Sequence, residues 1–295
     1  DRAIGHVEAL RERRTKNTGN YLGTVAIGPN NPFYRNVPSR PGAVQNVDFS
    51  FSPALGEGSA ISTILIQEWG VNTELRQKLG DDWQVRGLVN YSRTNSQFTQ
   101  PGVSTPRLAA AGNTPGLTTT TAINPYDVTQ TSRTLLTDLI DNYNAGQAKD
   151  DLLDLRLIAD GKLFALPGGD VRVAFGYERI NDQLKQREVA SVRLGLLANA
   201  PFNTYRRRVN SVFGELNVPI VGPDNASPGL QALVLSAQGR WDHYSDFGST
   251  FNPKLGATYK PFEWLSLRGN WGTSFTPPTP LDQLNAKSFT FSYFN

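Results

Sequence analysis

The 295-residue sequence contains no cysteine and no methionine. The first absence excludes a disulfide framework and any thiolate metal site. The second leaves no initiator in view, so the chain is expected to be a processed product or a fragment of a longer protein. Charge of one sign is also lacking: 29 basic and 26 acidic residues are interleaved to a net +3. There is no basic tract of the kind a nucleic-acid-binding protein needs. No run approaches the ~18 apolar residues of a membrane helix, and no signal peptide starts at Asp1. Strands that cross a membrane escape this exclusion, because they need only ~9–11 residues and alternate rather than run. Phosphate-binding loops, nucleophile elbows and His-Glu-x-x-His pairs are absent as well, so no catalytic residue, metal site or cofactor is expected and the chain does not read as an enzyme. Of the two histidines, His6 and His243, His243 follows Trp241 near a strand end and reads as an interfacial residue rather than a haem ligand.

What the sequence does contain is alternation of period two, the mark of strands with one apolar and one polar face. From Arg208 to Phe275 it recurs four times. Leu233, Leu235, Ala237, Gly239 and Trp241 oppose Ser236, Gln238, Arg240 and Asp242. Leu255, Ala257 and Tyr259 oppose Lys254, Thr258 and Lys260, and Leu265, Leu267, Gly269 and Trp271 oppose Ser266, Arg268 and Asn270. Val212, Gly214, Leu216 and Val218 oppose Ser211, Glu215 and Asn217, with Phe213 as a misfit on the polar side.

Upstream, Asp1 to Leu10 could end a strand, and Arg11 to Ala60 reads as a long loop rich in Gly, Pro, Asn and Ser. An alternating run to about Lys78 turns at Gly80–Asp82 and returns through Trp83, Val85, Gly87, Val89 and Tyr91, with Leu88 as its exception. Thr94 to Lys149 reads as a second long loop. Leu135, Leu136, Leu139, Ile140 and Tyr143 fall at helical spacing within it, which predicts one short amphipathic helix. Leu153, Leu155, Leu157 and Ala159 descend to a connection at Asp160–Asp170, Val171 to Tyr177 rise again, and Arg179 to Arg207 reads as a loop of moderate length.

Alternation alone fits a soluble β-sandwich as well as a membrane barrel. Three features favour the barrel. Short turns alternate with loops of which two exceed ~40 residues, longer than compact soluble domains usually carry. Trp69, Trp83, Trp241 and Trp271 share the apolar parity near strand ends, and Trp83 and Tyr91 are separated by roughly 27 Å of extended chain, or ~20 Å of depth at a ~45° tilt. The polar parity is charged: Arg86, Arg156, Arg172, Arg240 and Arg268 would face a lumen and could pair with Glu74, Asp154, Glu178 or Asp242. The expected fold is therefore all-β, a partial antiparallel transmembrane barrel of about 9–10 strands with long outer loops and short inner turns.

Four successive runs carry a resemblance: Ser211–Pro219 (SVFGELNVP), Gln238–Gly248 (QGRWDHYSDFG), Phe251–Gly256 (FNPKLG) and Leu267–Phe275 (LRGNWGTSF). In order and spacing they resemble consecutive barrel strands of TonB-dependent outer-membrane receptors. Asp160–Asp170 (DGKLFALPGGD) is similar to the family's periplasmic turns. Where the family commonly continues Ser-Phe with Arg-Ala-Pro, this chain has Thr276–Pro277–Pro278, so no role of that arginine is carried over. The resemblance implies that residues 1–295 are a central to later segment of a barrel domain, without the N-terminal plug. A closed barrel of this kind has about 22 strands, so the segment is expected to be an open, curved sheet. It further implies the outer membrane of a Gram-negative bacterium and contact with its lipid. Energy would come from the TonB complex, engaged through the missing N-terminal region, and the cargo would be a scarce small-molecule or oligosaccharide ligand, such as a ferric siderophore. The outer loops would capture it, with Phe33, Tyr34, Tyr126 and Tyr143 as candidate contacts. A passive porin-like channel and a soluble β-sandwich binding module remain the alternatives.

Overall fold

A computed structural model describes residues 2–193 and 199–279. Nine strands form one antiparallel sheet: β1 (Arg2–Gly19), β4 (Ala60–Leu79), β5 (Trp83–Pro101), β6 (Tyr143–Leu166), β7 (Gly169–Val192), β8 (Asn203–Val221), β9 (Ala232–Tyr244), β10 (Gly248–Phe262) and β11 (Leu265–Gly272). They lie side by side in the order β1-β4-β5-β6-β7-β8-β9-β10-β11. Among the described residues β1 and β11 do not pair, so the sheet is an open partial barrel. A separate hairpin, β2 (Leu22–Ile27) with β3 (Gln45–Ser50), belongs to the first long connection.

The order follows from the connections. Strands that neighbour in sequence pair as meanders, because each short turn brings the chain straight back. Gly80 supplies the left-handed conformation (φ 67°) that its three-residue turn demands. On the apolar parity Leu75, Leu157, Phe175, Val212, Leu255, Leu267 and Trp271 stay more than half exposed or close to it. The chain leaves these side chains uncovered, so this face needs an apolar partner outside it.

Aromatic residues frame that face. Trp83 and Phe175 meet edge-on at 6.4 Å near the turn end, and Trp69 and Tyr91 meet at 5.1 Å near the other. The frame drifts through the hydrogen-bond ladder. On β6 the residue opposite Tyr91 is Leu153, whereas the residue opposite Tyr177 is Leu157. On β10 Phe251 faces Trp241, whereas Leu255 faces Trp271. A level band crosses the ladder obliquely in this way when the strands are tilted, as barrel closure requires.

Several expectations about loops are corrected. β1 runs on to Gly19 and the segment 20–59 is folded, so Arg11 to Ala60 is not one loop. β5 continues to Pro101 and β6 begins at Tyr143, which shortens the second connection to residues 102–142. β7 continues to Val192 and β8 begins at Asn203, so only a ten-residue connection remains of Arg179–Arg207, half of it outside the described residues. At 24 residues each, β6 and β7 extend roughly 80 Å, far beyond what a bilayer needs, so their outer halves project past it. Both faces there are polar, and apolar alternation disappears. A side-chain ladder takes over: Arg187 Nη2 donates to Gln147 Oε1 (2.8 Å), Gln147 to Asn95 (2.8 Å), Asn95 to Gln67 (3.1 Å) and Gln67 to Glu12 (3.1 Å). The ladder runs from a cation to a carboxylate across five strands, so every amide dipole in it is aligned.

The dry core lies outside the main sheet. Tyr21, Val25 and Phe51 from the first connection pack with Leu108, Ala111, Ile123, Val128, Leu136 and Leu139 from the second. This second connection carries two helices rather than the single expected one, α2 (Thr105–Asn113) and α3 (Arg133–Ile140), while α1 (Ser52–Leu55) belongs to the first. Tyr143, expected on the helical stripe, instead opens β6. Asn31 locks the two connections together, its Nδ2 donating to the carbonyls of Ala111 (3.2 Å), Gly112 (3.1 Å) and Ile123 (3.1 Å). Two loops have thus become one cap.

Candidate functional site

The polar face of the sheet is built from cross-strand rows. Strand register sets Arg156 opposite Glu178, Glu178 opposite Ser211, and Ser211 opposite Asp242 on four consecutive strands. Glu178 is buried (3 % exposed), held between the guanidinium groups of Arg156 and Arg240. Arg156 also reaches Asp154 at 2.9 Å and Arg240 reaches Asp242 at 2.7 Å. Ser211, fully buried, accepts from Arg240 at 2.8 Å and donates to Asp242 at 2.5 Å. Two arginines are thereby shared among three carboxylates and a hydroxyl, which compensates charges that a half-dry wall would otherwise reject.

Phe213, the misfit of the alternation, has its place here. Its ring lies under the Arg240 guanidinium at 5.7 Å. It also fills the space over Gly176, where an added Cβ would stand 2.4 Å from Phe213 Cζ. A side chain at 176 and an aromatic ring at 213 exclude each other.

The five arginines expected on one face divide. Arg156 and Arg240 meet through Glu178. Arg86 forms a separate pair with Asp160 (3.4 Å), whose carboxylate also accepts from Gln84 at 2.8 Å. Arg172 and Arg268 share the polar parity but lie exposed and away from this network, opposite Lys162 and Thr258 respectively. Of the expected carboxylates, Asp154, Glu178 and Asp242 join the network, while Glu74 pairs with Arg76 at 2.8 Å.

At the cap, Tyr34 donates to Ala43 O (2.9 Å) and Tyr126 to Gln45 Oε1 (3.0 Å), with the Arg35 guanidinium 4.3 Å over the Tyr126 ring. Tyr34 and Tyr126 therefore gather on one side of the cap, with Phe33 beside them half-buried. Tyr143 stands apart at the foot of the cap, opposite Pro101 and Val192. Asp127, near Tyr126, has its carboxyl held below the ordinary range by hydrogen bonds from Thr129 and Gln130.

A cluster that the sequence did not single out sits at the outer rim. Arg207, only 6 % exposed, lies against the rings of Tyr205, Phe247 and Tyr244 at 5.4, 5.5 and 5.9 Å. It binds Asp246 at 2.8 Å and the Pro278 carbonyl at 2.8 Å. Burial pushes the Asp246 carboxyl up, but hydrogen bonds from Arg207 and Tyr205 outweigh it and leave the group below the ordinary range. The run Arg206–Arg207–Arg208 is the available signal, and it straddles the boundary between the expected loop Arg179–Arg207 and the alternating stretch that begins at Arg208.

An unpartnered apolar face framed by aromatics, a charge-compensated polar face, short turns at one end and a folded cap at the other define the wall of a transmembrane β-barrel. No helix among the described residues is long and apolar enough to cross a membrane; a barrel crosses with strands. The chain belongs to the family described as TonB dependent receptor-like, beta-barrel, whose model matches residues 8–295. No curated protein matches the chain. Family membership supports TonB-dependent transport across the Gram-negative outer membrane as the general function, with TonB and a small-molecule ligand as partners. Members are transporters and receptors rather than typical enzymes.

Proposed function

We propose that residues 1–295 form the central to later barrel wall of a receptor that takes up a scarce nutrient, with a ferric siderophore as the first candidate. The observation that carries this reading is the cap: two outer connections that share one hydrophobic core and one asparagine clamp, built above the polar wall. Rigid surfaces made from loops are where binding groups are placed. In this reading Phe33, Tyr34 and Tyr126 flank the capture surface with Tyr143 below them. Arg86, Arg156, Arg172, Arg240 and Arg268 face the lumen and the plug supplied by the upstream region, through which the TonB complex acts.

The test is uptake by cells producing the full-length protein as their sole outer-membrane receptor, offered radiolabelled ferric siderophores, haem, cobalamin and oligosaccharides separately. Saturable ferric-siderophore uptake that stops when a protonophore collapses the inner-membrane gradient is the expected result. Uptake that survives the protonophore would identify a passive channel. Energy-dependent uptake of another ligand alone would overturn the siderophore assignment.

A further inference from the structure

Two rows of laterally paired residues cross the outer halves of β4, β5, β6 and β7: Ile66–Ser96–Ala148–Gln186 and, one step nearer the cap, Ile64–Phe98–Gly146–Glu188. They share the parity of Glu74, Arg86, Asp154 and Glu178, so they face the barrel axis. On β4, β5 and β6 they lie just below Ala60, Pro101 and Tyr143, where the strands give way to the cap. Gly146 has no side chain, and the Phe98 ring occupies its place: a Cβ added there would stand 2.3 Å from Phe98 Cε1. With Ser96 and Ala148 small as well, β5 and β6 form the floor of a trough of about 490 Å³, between the isoleucines of β4 and the polar residues of β7. From Ile66 to Gln186 is three strand spacings, about 14 Å. Ile64 is 41 % exposed and Phe98 36 %, so the apolar end is uncovered.

Charge is sorted across this part of the wall. Arg93, Lys149, Lys185 and Arg187 take the outward parity, whereas the inward positions of the same stretches of β5, β6 and β7 carry Asp150 and Glu188 and no cation. Asp150 neighbours a second carboxylate, Asp182. Arg207, opposite Asp182, is committed to Asp246. Glu188 is exposed and has no cationic partner among the described residues. Arg11 and Arg13 share the inward face but lie on β1, beyond Glu68 and Ile66, at the opposite end of the trough. An apolar stretch that ends at an unpaired carboxylate fits a run of methylenes that ends in a cation. The methylenes gain by covering exposed apolar surface, and the cation gains a counter-charge without leaving water entirely. An anionic chelate would meet Glu188 and Asp150 head on. We propose that this trough holds an alkylammonium arm of the transported ligand, its methylenes along Ile64, Ile66 and Phe98 and its ammonium at Glu188, and so selects a cationic ferric chelate over anionic ones. The proposal rests on the siderophore reading above and narrows it.

The probes are ferrioxamine B, a linear ferric trihydroxamate with a terminal ammonium, and its N-acetyl derivative, which keeps the iron-binding groups and loses the charge. Purified full-length protein in non-ionic detergent is titrated with each, and tryptophan quenching reports the Kd. The wild type should bind the ammonium form at least ~3-fold more tightly, the size an exposed ion pair supports, and added salt should erode the preference. Glu188→Gln should abolish the preference, and Phe98→Ala should weaken both complexes, each variant keeping the heat-modifiable gel mobility of a folded barrel. Equal affinities in the wild type, binding of neither probe, or a preference that survives Glu188→Gln overturns the proposal. Energy-dependent uptake of an anionic ferric siderophore by cells whose receptor does not bind ferrioxamine B would overturn it while leaving siderophore uptake standing. Uptake of no ferric siderophore at all would bring down both.

Discussion

Glu178 and Arg240 stand 62 residues apart in the chain, on strands separated by β8, and their side chains meet across it over the Ser211 hydroxyl. The contact depends on register at two ladders at once, since a slip of one residue on either turns one partner to the other face. Glu178→Gln removes the one carboxylate that Arg156 and Arg240 share, leaving Arg156 with Asp154 and Arg240 with Asp242. It should lower the urea-unfolding free energy of the refolded protein by about 1–3 kcal/mol, the scale of a hydrogen bond to a charged group. A double-mutant cycle with Arg240→Gln should return a coupling of at least ~0.5 kcal/mol. Strict additivity would show that the pair makes no coupled contribution to the wall.

The face assignment has its own test. Leu235 and Leu267 are 42 % and 53 % exposed on the unpartnered apolar face, whereas Ser266 lies on the polar one. Leu235→Arg or Leu267→Arg should cost about 2–4 kcal/mol in folding into bilayers, the penalty of a lipid-facing arginine near the midplane. Ser266→Arg should cost little. Equal folding yields for the three in lipid vesicles would contradict this division of faces.

These faces were legible because each membrane-crossing stretch contrasts lipid with water at every residue, as in Leu265 to Trp271. The contrast ends where the strand leaves the bilayer. Thr94 to Gln97 and Lys185 to Glu188 are wet on both sides, so nothing in their order distinguishes strand from loop, and both fall within the expected loops. Register was equally hidden: the alternation of β6 and β7 gives each strand a polar face but not that Arg156 lands on Glu178. The cap was hidden too, because Leu136 and Leu139 predict an amphipathic helix without naming Tyr21, Val25 and Phe51 as its partners.

The shared core changes what loop removal should do. Excising residues 102–142 removes Leu108, Ile123, Leu136 and Leu139 and strips the first connection of its packing, so both connections should unfold while the sheet stays heat-resistant. A single change reports the same coupling. Leu139 is fully buried, and Leu139→Ala should destabilise the cap by about 2–5 kcal/mol. In hydrogen exchange, amides of Val25 and Phe51 should lose protection together with those of α2 and α3, and amides of β9 and β10 should not. Faster exchange confined to 102–142 would show that the two connections fold independently.

At the rim, the Arg207–Asp246 latch should respond to acid in one direction. The folded-state pKa of Asp246 lies below its ordinary value of 3.8, so its contribution is fully present above that value. It is lost only as the pH falls through the lower, folded-state value. Exchange of the amides at 245–247 and 273–279 should therefore be unaffected, after correction for intrinsic rates, from pH 7 to about 5. It should accelerate only below the ordinary carboxylate range, and Asp246→Asn should show the accelerated rate at every pH. A transition near pH 6 that vanishes in that variant would reverse the sign assigned here.

Sidedness is the last prediction, and the absence of cysteine makes it clean, since every introduced thiol is the only one in this chain. Thr119 lies exposed in the cap, in a turn between α2 and α3, while Asp82 lies exposed in the short turn between β4 and β5. The two positions are at opposite ends of the strand pair β5–β6, with the whole apolar band between them. Short turns face the periplasm in barrels of this type and long connections face the outside. Thr119→Cys should therefore react with a membrane-impermeant maleimide on intact cells, and Asp82→Cys should react only after the outer membrane is permeabilised. Both side chains reach solvent without crossing the wall, so neither substitution perturbs packing and both proteins should reach the membrane in equal amounts. Asp82→Cys labelled on intact cells, with Thr119→Cys protected, would require the chain to be inserted the other way up. The cap would then face the periplasm, and ligand capture by it would be excluded.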